Sequence, residues 1–275
     1  MKKNILVMDI GNTNVVCGLY MGINLLGTWR FCSDKNKTAD EYFVLLNTLF
    51  GTLLKTSKPI NESVDFISIS SVVPLISNSI EMMINKYFRK PYVFVKSDLD
   101  LGLNFIVDDP RSVGADLIVN AYVCLLKHKT NCIIIDFGTA TTIQLIGADG
   151  VFYGVAILPG LITSANSLFD KAALLSQRML ENPSCLIGKN THESLMSGII
   201  KGHCFAIEGF IKRIRAEYKN LKDIKTIATG GLSHFIIEQT DLIDEMDKNL
   251  TLEGLFYVAC KILEASSQEG NEKGR

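Results

Sequence analysis

Two short runs hold the residue types from which phosphate chemistry is built: Asp9-Ile10-Gly11-Asn12-Thr13-Asn14 and Asp136-Phe137-Gly138-Thr139-Ala140-Thr141-Thr142. Each is an aspartate, one apolar residue, a glycine and then small polar residues, and each follows a run of apolar β-formers. Alone, a D-x-G turn needs no function: Asp accepts its own backbone N–H groups and Gly supplies positive φ. The small residues that follow add a second use. Glycine lets backbone N–H groups approach phosphate oxygens, and hydroxyls add donors. An aspartate at that place holds magnesium, directly or through water, to neutralise charge developing during phosphoryl transfer. Two such turns facing each other across a cleft would clamp a nucleoside triphosphate between domains. Rival phosphate grips are missing from the sequence. Gly188-Lys189-Asn190 lacks the hydroxyl residue of a Walker loop and has Pro183 in place of its first glycine, and no G-x-G pair occurs.

The elements that must position these turns follow from hydrophobic pattern. Residues 4–9 read as a buried strand, 14–20 as its hairpin partner and 25–30 as a third strand. Thr38 and Glu41 form a capping box that opens a helix with Leu45, Leu46, Leu49 and Leu53 on one face. Residues 64–73 read as a strand ended by Pro74, 75–89 as a helix and 91–96 as a strand. A helix is expected over 113–127. The order then restarts, with strands at 131–136, 141–147 and 151–157, a helical region through 191–218 and a strand at 224–229. Gly230-Gly231 stops that strand. The segment Thr226–Leu232 serves as a helix entry or as a flat backbone against which adenosine slides. A helix over 251–265 and a polar, frayed tail over 266–275 end the chain. The spacing of Asp9 to Gly11 equals that of Asp136 to Gly138, and the strand–helix order downstream matches, which is the mark of one domain duplicated.

Composition narrows the classes. A chain of 275 residues at formal charge −1 has length for one large or two modest domains and no basic excess to displace counterions, so no nucleic-acid partner is expected. Seven scattered cysteines without a C-x-x-C pair are a reduced, cytoplasmic pattern. The four histidines make no H-E-x-x-H. No stretch approaches the ~20 apolar residues of a membrane span, and Asp9 interrupts the N-terminal apolar run too early for a signal peptide.

Seven motifs in order resemble those of the type III pantothenate kinases, within the actin-like ATPase and sugar-kinase superfamily. They are M-D-I-G-N-T-N at 8–14, I-S-S-V-V-P at 69–74, D-P-R-S-V-G-A-D at 109–116, I-D-F-G-T-A-T-T at 135–142, L-P-G-L at 158–161, I-G-K-N-T at 187–191 and A-T-G-G-L at 228–232. The resemblance runs from residue 4 to about 263. It implies an α/β fold of two duplicated actin-like (ribonuclease H-like) domains with mixed sheets flanked by helices. The expected division is 1–115, with the ATP phosphate turn, and 116–275, with the cation site and adenosine motif. The implied activity is ATP-dependent phosphorylation of pantothenate to 4′-phosphopantothenate, the entry to coenzyme A synthesis, by a homodimeric transferase.

By the same resemblance Asp9, Ile10, Gly11, Asn12, Thr13, Asn14, Val15 and Val16 hold the phosphates of Mg-ATP, with Asp9 on Mg²⁺ and Thr139 as a further phosphate contact. Gly114, Ala115, Asp116 and Leu117 line the acceptor site, and Asp116 takes the proton of the attacking hydroxyl. Asp136 holds a monovalent cation, K⁺ or NH₄⁺, although from the residues alone it could equally hold magnesium. Thr191 contacts pantothenate across a dimer interface, and it is also the expected N-cap of a helix beginning at 192. Asp116 falls in the first turn of its helix, where the dipole favours the charged form and a weak base is expected. His192 is read as solvent-facing, and Asp108-Asp109 as an acidic turn before Pro110.

Two positions depart from the family pattern: Leu117 stands where G-A-D is followed by arginine, and Val107 where a tyrosine is usual. Leucine supplies no forked donor, and losing a charge-assisted bond costs about 1.5–3 kcal/mol. Two alternatives follow. One is a kinase of another small alcohol, and the other is a non-catalytic, nucleotide-binding homologue acting as a regulatory partner.

Overall fold

The computed structural model describes residues 3–171 and 180–272. The chain runs through β1 (Asn4–Ile10), β2 (Asn14–Met21), β3 (Asn24–Cys32), α1 (Ala39–Leu54), α2 (Ile60–Ser63), β4 (Phe66–Ser71), α3 (Pro74–Met83) and β5 (Tyr92–Phe94). Next come β6 (Asn104–Phe105), α4 (Ala115–His128), β7 (Cys132–Phe137), β8 (Ala140–Ile146), β9 (Val151–Pro159) and α5 (Leu161–Lys171). Then follow α6 (Thr191–Met196), α7 (Gly202–Glu217), β10 (Lys225–Thr229), α8 (Ser233–Ile237), β11 (Glu245–Met246) and α9 (Leu250–Glu272). The described residues form two compact units, one drawn from 1–101, 109–123 and 250–275, the other from 102–108 and 124–249. The sequence places a single boundary after residue 115, at the start of α4. Packing instead returns the C-terminal helix to the first unit and divides the chain within α4.

The first unit is built on a five-stranded sheet of order β3-β2-β1-β4-β5. β1 pairs antiparallel with β2 and parallel with β4. Both faces of β1 are covered, which is why its sequence is a continuous apolar run rather than an alternating one. One face packs on α1 and α3 through Leu6, Met8, Ile10, Leu46, Ile76 and Ile80. On the other face α9 lies against β2, with Phe256 stacked on Tyr20 at 4.5 Å between ring centroids. The capping box of α1 forms as expected, Glu41 N donating to Thr38 Oγ1 at 3.3 Å and Thr38 N to Glu41 Oε2 at 2.8 Å. The buried stripe of α1 is Ala39, Tyr42, Leu46 and Phe50; of the expected leucine face Leu46 is fully buried, Leu49 packs partly on the core and Leu53 is exposed. Two aromatics at helical spacing outweigh the leucines beside them.

The second unit repeats the plan with order β11-β10-β7-β8-β9-β6. β7 pairs antiparallel with β8 and parallel with β10. The ladder between second and third strands has a register break at the same place in both units, the extra residue standing in the third strand, Leu26 in β3 and Tyr153 in β9. It falls between Leu19 and Tyr20 in β2, and between Leu145 and Ile146 in β8. In each case this is three residues beyond the partner of the aspartate, Val16 for Asp9 and Thr142 for Asp136. Ile133, Ile135, Phe137, Ile143 and Leu145 pack on α5 and α7. Helical structure continues from α6 to α7 through a π turn at Ser197–Lys201, and a second π turn, Ile84–Phe88, extends α3. The expected polar tail is largely helical: α9 reaches Glu272, and residues 273–275 lie outside the described part.

Candidate active site

In the first unit the chain leaves β1 at Ile10 and re-enters the sheet at Asn14. Gly11 N donates to Asn14 O at 3.0 Å, closing the turn. Ser33, just past β3, holds the turn from its other side, its N–H on Thr13 O at 2.9 Å and its Oγ on Gly11 O at 2.5 Å. Within the predicted phosphate run, Ile10 and Val15 are core residues. They can serve a ligand only through their backbone. Asn12 and Thr13 are exposed, and Asp9, Gly11, Asn14 and Val16 are half-buried. Asp9 lies between Val16 on β2 and Ser70 on β4.

A short chain of contacts brings the acceptor motif to the same end of this sheet. Val72 N donates to Ile10 O at 3.1 Å. The side chain of Val72 lies 3.5 Å from where a Cβ on Gly114 would be. That same Cβ would collide with Asp116 Oδ1, so glycine at 114 leaves the space the carboxylate occupies. Asp116 opens α4 and accepts from Leu117 N at 2.9 Å. Burial pushes its pKa up, and the hydrogen bonds from the Leu117 N–H and from its own N–H oppose this without cancelling it. The weak base expected from the helix dipole is thereby corrected: desolvation outweighs the first-turn N–H groups, and the carboxylate is a better base. Ala115 and Leu117 are buried, Leu117 at 7% exposure, and Val107 is half-buried. Asp109 caps the 3-10 turn Pro110–Ser112 by accepting from Arg111 N at 3.1 Å, the acidic turn read from sequence.

In the second unit the turn is one residue shorter. Gly138 N donates to Ala140 O at 3.1 Å. Thr139 O accepts from Gly160 N at 3.1 Å and from Thr163 Oγ1 at 2.6 Å. Asp136 lies between Thr142 on β8 and Thr229 on β10. Gly230 follows with φ +90°, and a Cβ there would come within 2.5 Å of Asp136 Oδ1, so the glycine both turns the chain and makes room for the carboxylate. The A-T-G-G-L motif is a helix entry, leading through Leu232 into α8. Thr141 is wholly buried and its Oγ1 meets His203 Nε2 at 3.0 Å. Burial lowers the pKa of His203.

Thr191 is the exposed first residue of α6, not its cap: Asn190 Oδ1 accepts from Glu193 N at 3.0 Å and takes that role. His192 is not solvent-facing. It is half-buried and pairs with Glu181. Ser33, Thr163 and His203 escape the sequence reading. Ser33 and Thr163 leave a faint signal, a hydroxyl within a few residues of the third strand in each repeat.

Oxygen-ligated cations fit both aspartates. Among the described residues no group of three or more His, Cys, Asp or Glu forms a metal cage. Magnesium bound with a nucleotide takes one or two carboxylates and fills its remaining positions with phosphate and water, so Asp9 needs no such cage. Beside Asp136, Thr142 Oγ1 is buried and has no hydrogen-bond partner, an oxygen suited to a cation.

A duplicated sheet of order 3-2-1-4-5, with an aspartate–glycine turn after each first strand, defines the class: the actin-like fold of ATPases and sugar kinases. Solved structures share it. Lmo2764 from Listeria monocytogenes, assigned as an N-acetylmannosamine kinase, superposes with TM-score 0.54 at 11% identity over 94% of this chain and 99% of its own. A conserved Baf-family protein from Campylobacter jejuni superposes with TM-score 0.58 at 17% identity over 94% and 99%.

Within that class the chain belongs to the type III pantothenate kinase family, whose model matches residues 5–213. The type III pantothenate kinase of Syntrophotalea carbinolica is 40% identical over 252 residues, 91% of this chain and 96% of its own. Among the described residues no helix is long and apolar enough to cross a membrane.

Proposed function

We propose that the protein transfers the γ-phosphoryl group of ATP to the primary hydroxyl of pantothenate, giving 4′-phosphopantothenate and ADP in the cytoplasm. The observation that carries this is Asp116, a carboxylate made more basic by burial, on the helix that follows Gly114. In the reaction the acceptor oxygen forms the new P–O bond as the bond from the γ-phosphorus to the β–γ bridging oxygen breaks. The hydroxyl proton passes to Asp116. Phosphoryl transfer goes through a loose transition state, so positioning and charge matter more than a strong base. The N–H groups and hydroxyls of Asp9–Asn14 and Thr139 orient the phosphates, and Asp9 holds the magnesium that neutralises them. Asp136, with Thr142 beside it, holds K⁺ or NH₄⁺. Family membership also supports a homodimer in which Thr191 reaches the acceptor site of a second copy.

One observation favours a second acceptor. Leu117, buried and apolar, follows Asp116 where the family has a permanently charged donor, which supports a small alcohol less polar than pantothenate.

ADP release in potassium buffer, with pantothenate as acceptor, tests the main reading. Asp116→Asn is expected to lower turnover about 100- to 1,000-fold, and sodium buffer to lower it further. Wild-type turnover no faster than that of Asp116→Asn would sink it. Turnover on another alcohol with none on pantothenate would select the second acceptor.

A further inference from the structure

Each aspartate–glycine turn is held from behind by a hydroxyl that belongs to no motif. In the first unit that hydroxyl is Ser33 Oγ, on Gly11 O at 2.5 Å, with Ser33 N on Thr13 O at 2.9 Å. In the second it is Thr163 Oγ1, on Thr139 O at 2.6 Å, with Gly160 N on the same oxygen at 3.1 Å. The two clamps share their backbone half and differ in their hydroxyl half, Ser33 Oγ holding the carbonyl of the turn's glycine and Thr163 Oγ1 that of the residue after it. Ser33 and Gly160 each come directly after the third strand, and each donates its N–H to the same place in its turn.

The clamps have a geometric consequence. A trans peptide is planar, so its C=O and N–H point to opposite sides. Pinning the carbonyls of Gly11 and Thr13 toward Ser33 turns the N–H groups of Asn12 and Asn14 away from it. Pinning the carbonyl of Thr139 does the same for Ala140 N–H. A turn beginning with glycine has the backbone freedom to flip such a peptide, and the hydroxyl removes that freedom.

We infer that Ser33 and Thr163 are positioning residues, whose hydroxyls fix the peptide orientation in which the two turns present N–H donors to nucleotide phosphates. This rests on the proposed use of the turns for ATP, and neither residue has to touch the nucleotide itself.

Ser33→Ala and Thr163→Val test it, by titration calorimetry with MgADP and by steady-state kinetics with MgATP and pantothenate. Each is expected to weaken MgADP binding and raise the MgATP KM about 3- to 10-fold, with the pantothenate KM within about twofold of wild type. Ser33→Thr and Thr163→Ser keep the hydroxyl and are expected to restore nucleotide affinity. Unchanged MgADP affinity in both hydroxyl-less variants overturns the inference, as does an equal rise in both KM values. Thr163 is exposed, so Thr163→Val carries the test alone if Ser33→Ala fails to fold. A wild-type protein that binds MgADP but leaves pantothenate untouched, with that binding weakened in the variants, removes the proposed acceptor and keeps the clamps. A wild-type protein that does not bind MgADP overturns both.

Discussion

The hairpin around Asp9 and the hairpin around Asp136 share strand order, pairing sense and a backbone clamp, yet each aspartate meets different surroundings. Asp9 faces Ser70 on the parallel strand, and its charge adds to burial in pushing the neighbouring Cys17 thiol far up. Asp136 has Gly230 against its carboxylate and the unpartnered Thr142 hydroxyl across the hairpin. The turn after Asp9 is longer by one residue and richer in exposed donors. The difference supports the proposed division, in which Asp9 serves a triphosphate with magnesium and Asp136 a compact ion. The first unit also carries Asp116, half-buried, with burial pushing its pKa up.

Charge removal should separate the two hairpins most widely. Asp9→Asn is expected to cut turnover by about 100-fold or more and Asp136→Asn by about 10-fold. The Asp136→Asn loss should also appear as a flattened potassium dependence. Equal losses with unaltered potassium response would erase the functional difference between them.

A smaller contrast lies in the glycines. Gly230→Ala places a Cβ on a residue at φ +90° and against Asp136, and should cost about 1–3 kcal/mol in urea unfolding. Gly11 has no positive φ, and its nearest contact for a Cβ is Asn14 O at 3.3 Å, so Gly11→Ala should cost under about 1 kcal/mol. The reverse ranking would mean that the first turn is the more constrained.

The smallest effect concerns Asp116, the proposed base in the first unit. Because burial raises the pKa of Asp116, the native state holds its proton more tightly than the unfolded chain does. Stability therefore falls as pH rises from the ordinary carboxylate range through the raised native value. Asp116→Asn should raise the thermal midpoint at pH 7 by about 2–4 °C while impairing turnover. The gain should vanish near pH 3, at about the lower end of carboxylate titration. A midpoint that falls at pH 7 would show that the charge stabilises the helix start after all.

Strands, turns and the repeat were legible because they are written locally: apolar runs, D-x-G, and a capping box three residues wide. The site was legible only to the extent that it is local as well. The environment of Asp116 depends on Val72 and Gly114, brought in by tertiary packing, so its basicity was misjudged from the helix start alone. Ser33 lies twenty-two residues from Gly11 and Thr163 twenty-four from Thr139, and no spacing rule joins them. The buried face of α1 was legible only in part because Tyr42 and Phe50 win on area over leucines of equal periodicity.

The bulge shared by the third strands, β3 and β9, bears on the history of the chain. The extra residue, Leu26 in β3 and Tyr153 in β9, is most simply explained by one ancestral unit whose third strand was already bulged when its gene was copied.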